Sequence, residues 1–300
     1  MDIMDYEPGF AQAVCDLYNR TTEPVAHCHP IDTGRMKDAL RPTTDMQTKG
    51  PRNMRAQRAF VAVDGKPVIG FAHAGILVDE EERTEGGAVR FLTYEPGKRS
   101  AGLLLLDQVE AWLKDSGAAS VVAFHQNYRL PFYHYGPAYL SDRIGHVQAL
   151  FASRGYEKCG GEVFLDDENF GRRGPQPIDL AIEVTSEKKP GHGKLPGLQT
   201  LAWIDGKKIG TCSVVSSVED QRTRAVEDRV FVEWLGVEEP WQGKDIGRYL
   251  LQRTLNDAYA LGYRRAGIST AWDNHRAFVF YSNFGFSVSD WTYGWKKKIG

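Results

Sequence analysis

Two stretches of the chain share one hydrophobic rhythm. Each opens with β-rich runs on either side of an Asp-Gly pair: Val63-Asp64-Gly65-Lys66 before Val68-Ile69-Gly70, and Ile204-Asp205-Gly206-Lys207 before Lys208-Ile209-Gly210. Asp-Gly supplies the positive φ angles of a tight turn, so each stretch predicts a β-hairpin. Apolar positions then recur at helical spacing. Leu105, Leu106, Val109, Trp112 and Leu113 lie between Gly102 and Gly117; Leu250, Leu251, Thr254, Leu255 and Ala258 lie between Gly247 and Gly262. Both runs predict amphipathic helices stopped by a left-handed glycine. A short strand follows in each, Val121 to Phe124 and Ala266 to Ser269, and then a helix ending in Arg154-Gly155-Tyr156 or Phe284-Gly285-Phe286.

The matches come in one order, offset by 141 residues at Gly65 and Gly206, 145 at Gly102 and Gly247, and 130 at Gly155 and Gly285. One unit is used twice, with about 15 extra residues before the last helix of the first copy. The seam is expected between Asp166 and Pro177, where charges, Gly171, Gly174, Pro175 and Pro177 cluster. That gives a first domain over 1–168 and a second over 178–300. The first copy has room before its hairpin for a strand and two helices; the second does not. Each copy mixes strands and helices, so the fold class is α/β in the broad sense (α+β), a twisted mixed sheet flanked by helices in each domain.

Composition changes this picture little. Of 300 residues, 42% are hydrophobic and 25% charged, with a net charge of −2, so bulk electrostatics argue for neither nucleic acid nor an anionic membrane as partner. No apolar run approaches the roughly 18 residues of a spanning helix. Cys15, Cys28, Cys159 and Cys212 form no Cys-x-x-Cys pair. They read as reduced thiols of a cytoplasmic protein. His27-Cys28-His29 is not a metal site on this reading, because adjacent ligands point apart and no second cluster completes four-coordination. Lys296-Lys297-Lys298 reads as a solvated strand end, and nothing in the sequence sets the oligomeric state.

The chemistry concentrates in the second copy. Val230 to Val237 is a strand running into Gln242-Gly243-Lys244-Asp245-Ile246-Gly247-Arg248, a turn and helix start. Unpaired N–H groups and a positive helix dipole suit such a turn to phosphate, with Lys244 and Arg248 adding charge. Downstream, Asn274, Ala277 and Tyr281 stand at i, i+3 and i+7, on one helix face.

With Trp272-Asp-Asn274-His-Arg-Ala277-Phe-Val-Phe-Tyr281-Ser-Asn-Phe-Gly285-Phe286, the region Val230 to Trp291 resembles the GNAT family of acyl-CoA-dependent N-acyltransferases; the hairpin extends the resemblance to about residue 199. The whole chain looks like a tandem pair of such domains, the first degenerate. The resemblance implies acetyl-CoA as cosubstrate and an amine-bearing acceptor. It implies backbone contacts from Leu235 and Val237, a bulge permitted by Gly236, a pyrophosphate turn over Gln242 to Arg248, and a pantetheine face of Asn274 and Ala277. Tyr281 is then the acid that protonates the departing thiolate, and Glu233 a base.

The same residues admit plainer readings: Asn274 as a helix cap, Tyr281 as a core aromatic, Glu233 as a strand carboxylate exposed or paired with Arg229. Phe231, Glu233 and Leu235 are expected to share one strand face, which would desolvate Glu233. The family's first motif glycine is replaced by Asp245, a repulsive charge unless it faces solvent or pairs with Lys244 or Arg248. In the first copy, Phe151 stands where Tyr281 does and the turn is Gly97-Lys98-Arg99-Ser100-Ala101-Gly102. A phenyl ring has no proton to give, so activity is expected in the second copy alone. Alternatives are a non-catalytic acyl-CoA sensor or scaffold and a mycothiol-synthase-like acetyltransferase.

Overall fold

The computed structural model describes residues 1–41, 53–171 and 174–300; within the expected seam, Arg172 and Arg173 lie outside the described residues. By contact the chain divides into two compact units, Met1–Glu162 with Asp290–Gly300, and Val163–Ser289. The strand that ends the sequence thus belongs by contact to the first unit.

The first unit holds β1 (Asp2–Asp5), α1 (Ala11–Thr22), α2 (Thr33–Ala39), β2 (Asn53–Val63), β3 (Val68–Val78), β4 (Thr84–Tyr94), α3 (Arg99–Asp115), β5 (Ser120–Ala123), β6 (Leu140–Ser141), α4 (Gly145–Ser153) and the start of β7 (Glu157–Asp167). The second holds β8 (Glu183–Lys189), β9 (Gly197–Ile204), β10 (Lys207–Ser216), the single turn α5 (Val218–Gln221), β11 (Arg229–Val237), α6 (Ile246–Leu261), β12 (Arg265–Ala271) and α7 (His275–Phe284). The last strand, β13 (Ser287–Lys298), pairs antiparallel with β5 through Trp295↔Ala123 and Lys297↔Val121. In the first unit β1 to β4 are antiparallel neighbours and β4 runs parallel to β5. In the second, β8 to β11 are antiparallel and β11 runs parallel to β12.

The repeated motifs take the expected form except at the first hairpin turn. Asp205 (φ 48°) and Gly206 (φ 72°) make a two-residue left-handed turn between β9 and β10. The first copy loops over Asp64 to Pro67 instead, with the Asp64 N–H donating to the Pro67 carbonyl at 3.1 Å. Gly117, Gly155, Gly262 and Gly285 all stop helices with positive φ. Gly70 and Gly210 occupy matching places: a Cβ on Gly70 would lie 2.7 Å from Leu105, and one on Gly210 would lie 2.9 Å from Leu250. Both helices therefore press on their sheets at the same point.

The copies also share a β-bulge. Opposite His73 and Ala74 of β3, strand β4 places Phe91, Arg90 and Val89, leaving Arg90 unpaired; opposite Ser213 and Val214 of β10, β11 places Trp234, Glu233 and Val232, leaving Glu233 unpaired. Parallel pairing to the next strand stops beside each bulge, at Val89↔Ala123 and Val232↔Ile268. Beyond it β11 and β12 run on unpaired with each other, whereas β5 ends at Ala123. The aromatic insertion after Asn127 packs on its own unit, with Leu130, Phe132 and Tyr133 in the core. His27 is buried against the rings of His134 and Tyr135, and no metal-binding group of three occurs among the described residues. The cysteines are free thiols, and burial pushes Cys28 and Cys212 up to about 12. Among the described residues no helix is long and apolar enough to cross a membrane.

Candidate active site

The splay of β11 away from β12 opens a cavity of about 630 Å³ in the second unit. One wall is Trp234, Leu235, Gly236 and Val237; the turn Gln242, Gly243, Asp245, Ile246, Gly247 and Arg248 forms its end; Asn274, Arg276, Ala277, Phe280 and Tyr281 face it from α7. The helix-face expectation for Asn274, Ala277 and Tyr281 holds, since all three reach one cavity.

The turn is built for close approach. Gly243 (φ 76°) and Asp245 (φ 60°) are both left-handed, so Asp245 adopts the conformation a glycine would take with less strain. Its carboxylate pairs with Arg248 at 3.3 Å, one of the two partners that the sequence offered. A Cβ on Gly247 would meet only Val237 Cγ2, at 3.7 Å, so the space above it is open. Arg248 also reaches Gln176, yet its buried Nε has no hydrogen-bond partner. Gln242 is clamped: its Nε2 donates to the Val237 carbonyl at 2.9 Å and its Oε1 accepts from Arg276 at 3.0 Å. Lys244 is absent from the lining and lies 4.8 Å over the Trp241 ring.

On the facing helix, Asn274 Oδ1 accepts from the Ala277 N–H at 3.1 Å and caps α7. The cap uses the carbonyl oxygen, so capping and cavity lining are compatible. Tyr281 is 7% exposed, its ring held 5.3 Å from Phe280 and 6.5 Å from Phe286.

Glu233 departs from expectation. The extra residue at the bulge breaks strand alternation, so Phe231, Glu233 and Leu235 do not share a face. Phe231 is buried, Glu233 is exposed and outside the cavity lining, and the burial expected to desolvate it is missing. Nor does Glu233 pair with Arg229, which is held by Asp166 at 3.1 Å and by Glu168. The bulge sits at Glu233, set by pairing with β10, and not at Gly236. The Trp234 indole lies over Gly236, where its Nε1 would be 2.9 Å from a Cβ. Trp234, Trp241, Arg276 and Phe280 were not singled out from sequence. Each is next in sequence to a motif residue (Leu235, Gln242, Ala277 and Tyr281), the one signal that could have pointed to them.

Residues 197–288 match the family model described as the acetyltransferase (GNAT) domain. No curated protein matches the chain. Among solved structures, a tandem GNAT protein from the clavulanic acid biosynthesis pathway aligns over 100% of this chain and 98% of its own, with a TM-score of 0.66 and 16% identity. A GCN5-related N-acetyltransferase from Sphaerobacter thermophilus aligns over 99% and 95%, with a TM-score of 0.62 and 17% identity. Family match and fold agree with the twofold repeat: residues 197–288 are a GNAT acetyltransferase domain, in a chain that has the tandem GNAT fold along its whole length.

Proposed function

We propose that the second domain transfers acetyl from acetyl-CoA directly to an amine. The observation that carries this reading is the single cavity joining the splayed strand, the left-handed turn and the Asn274, Ala277 and Tyr281 face. Its parts fit the cosubstrate. The open space above Gly247 accepts a chain close to the helix start, and the orphaned Arg248 Nε is a donor suited to phosphate oxygen. Acetyl-CoA supplies a thioester whose C–S bond breaks as the amine nitrogen bonds to the carbonyl carbon. Backbone groups of Leu235 to Val237 orient the thioester end, and the Asn274 amide donates to the pantetheine arm. Tyr281 gives its phenolic proton to the departing sulfur and recovers one from solvent. The acceptor nitrogen loses its proton to water, because exposed Glu233 stands outside the cavity lining.

Mixing the protein with acetyl-CoA and a panel of amines should release thiol only when an accepted amine is present, with an N-acetyl product of matching mass. Binding of acetyl-CoA without release on any amine would instead favour the sensor reading, the one that Asp245 supports. Asp245→Gly tests that residue directly. It relieves a left-handed non-glycine, worth on the order of 1 kcal/mol. It also frees Arg248 and removes a carboxylate from the turn. Acetyl-CoA should bind several-fold to about tenfold tighter by calorimetry, with a slightly raised Tm; weaker binding would show that Asp245 positions the turn.

A further inference from the structure

We infer that the first copy is sealed against acyl-CoA by Tyr94, so that the chain takes one acyl-CoA and not two. The inference rests on the acyl-CoA reading of the second cavity. Strand register identifies the pair to compare: Val237 lies opposite Gly210, and Tyr94 lies opposite Gly70, the same glycine of the repeat. A valine that borders an open cleft is thus a tyrosine in the first copy.

That ring occupies the cleft. A Cβ on Gly102, the counterpart of Gly247, would lie 2.4 Å from Tyr94 Cε1 and 2.5 Å from Cδ1. The Tyr94 hydroxyl continues across and donates to the His146 carbonyl at 2.9 Å, while His146 Nε2 lies 3.0 Å from the Tyr94 carbonyl. Their rings stand 4.7 Å apart at 89°. Strand end, helix start and facing helix are therefore tied together where the second unit leaves a passage. Deeper in, Phe151, the counterpart of Tyr281, is wholly buried against Phe124 and Tyr156. What remains is a pocket of about 340 Å³ with Tyr94 in its wall.

Calorimetric titration with acetyl-CoA should give one site per chain for the unaltered protein. Tyr94→Val installs the second copy's residue and should add a second site, roughly ten- to a hundredfold weaker. Two sites in the unaltered protein would overturn the seal alone. A Tyr94→Val protein that still binds one equivalent would show that Tyr94 is not what closes the cleft. No binding at all would defeat the acyl-CoA reading itself, and this inference with it. Hydrogen exchange on the unaltered protein gives a readout independent of how the variant folds. Acetyl-CoA should protect 235–248 and 274–281 and leave 94–102 and 146–153 unchanged; protection of both sets would refute the seal.

Discussion

Replacing Tyr281 with Phe should lower turnover roughly ten- to a thousandfold, the range for losing a general acid, and leave acetyl-CoA affinity within about twofold. The substitution removes one oxygen and keeps the ring, so the contacts to Phe280 and Phe286 survive. A thiolate leaving beside the buried Tyr281 ring is a costly charge unless a proton arrives with it. A phenol, with an ordinary pKa near ~10, lies slightly above a thiol and can supply that proton. Steady-state kinetics separates the outcomes: a fall in kcat with unchanged KM for acetyl-CoA assigns the acid, and an unchanged kcat removes Tyr281 from the chemistry. The reverse substitution, Phe151→Tyr, should restore nothing. Its site is wholly buried, and the turn before α3 keeps only the last of the motif glycines.

The twofold repeat was legible because it is written in local signals. Asp205-Gly206 turns as its φ angles require, and Leu105 and Leu250 press on Gly70 and Gly210 at matched positions. The Asn274, Ala277 and Tyr281 face was equally readable, since helical spacing fixes it within a few residues. What the sequence hid depends on distant partners. Glu233 leaves its expected face because of an extra residue opposite Ser213 and Val214, about twenty positions away, and Trp234 lines the cavity for the same reason. Val237 and Tyr94 look unrelated until register against Gly210 and Gly70 makes them equivalent. The place of Asp290–Gly300 in the first unit was likewise invisible, because a strand's hydrophobic pattern does not name its neighbour.

Ending the chain at Ser289 should therefore damage the first unit, far away in sequence. The truncation removes β13 from the edge of β5 and takes Trp295 out of the core, where its Nε1 donates to Gln148 at 3.0 Å. It also removes Lys297, which is turned onto Glu110 at 2.8 Å and is not the solvated end expected. Asp290 is lost too, buried with His134 Nε2 at 3.1 Å and Ser141 Oγ at 2.9 Å. A Trp removed from a core costs about 3–5 kcal/mol, before an exposed strand edge is counted. The truncated protein should lose its cooperative near-ultraviolet melting transition for this unit or aggregate.

Asp290→Asn separates the strand from its buried carboxyl. Burial raises the Asp290 pKa to about 6, with the nearby Ser141, Asp142 and His27 opposing the rise. The folded state then holds the proton more tightly than the unfolded chain, whose aspartate titrates near ~3.9. That stabilisation is fully present below about pH 4 and is lost as pH rises through about 6. At roughly 1.4 kcal/mol for each pH unit, the swing is on the order of 3 kcal/mol. Asn cannot titrate, so the variant should keep the fold at pH 7 and show little of this dependence between pH 4 and 6. If Asp290→Asn unfolds the unit as completely as the truncation does, the polar contacts hold it and not the strand pairing. If the truncated chain melts like the full one, β13 carries no stability and the contact division of the chain is wrong.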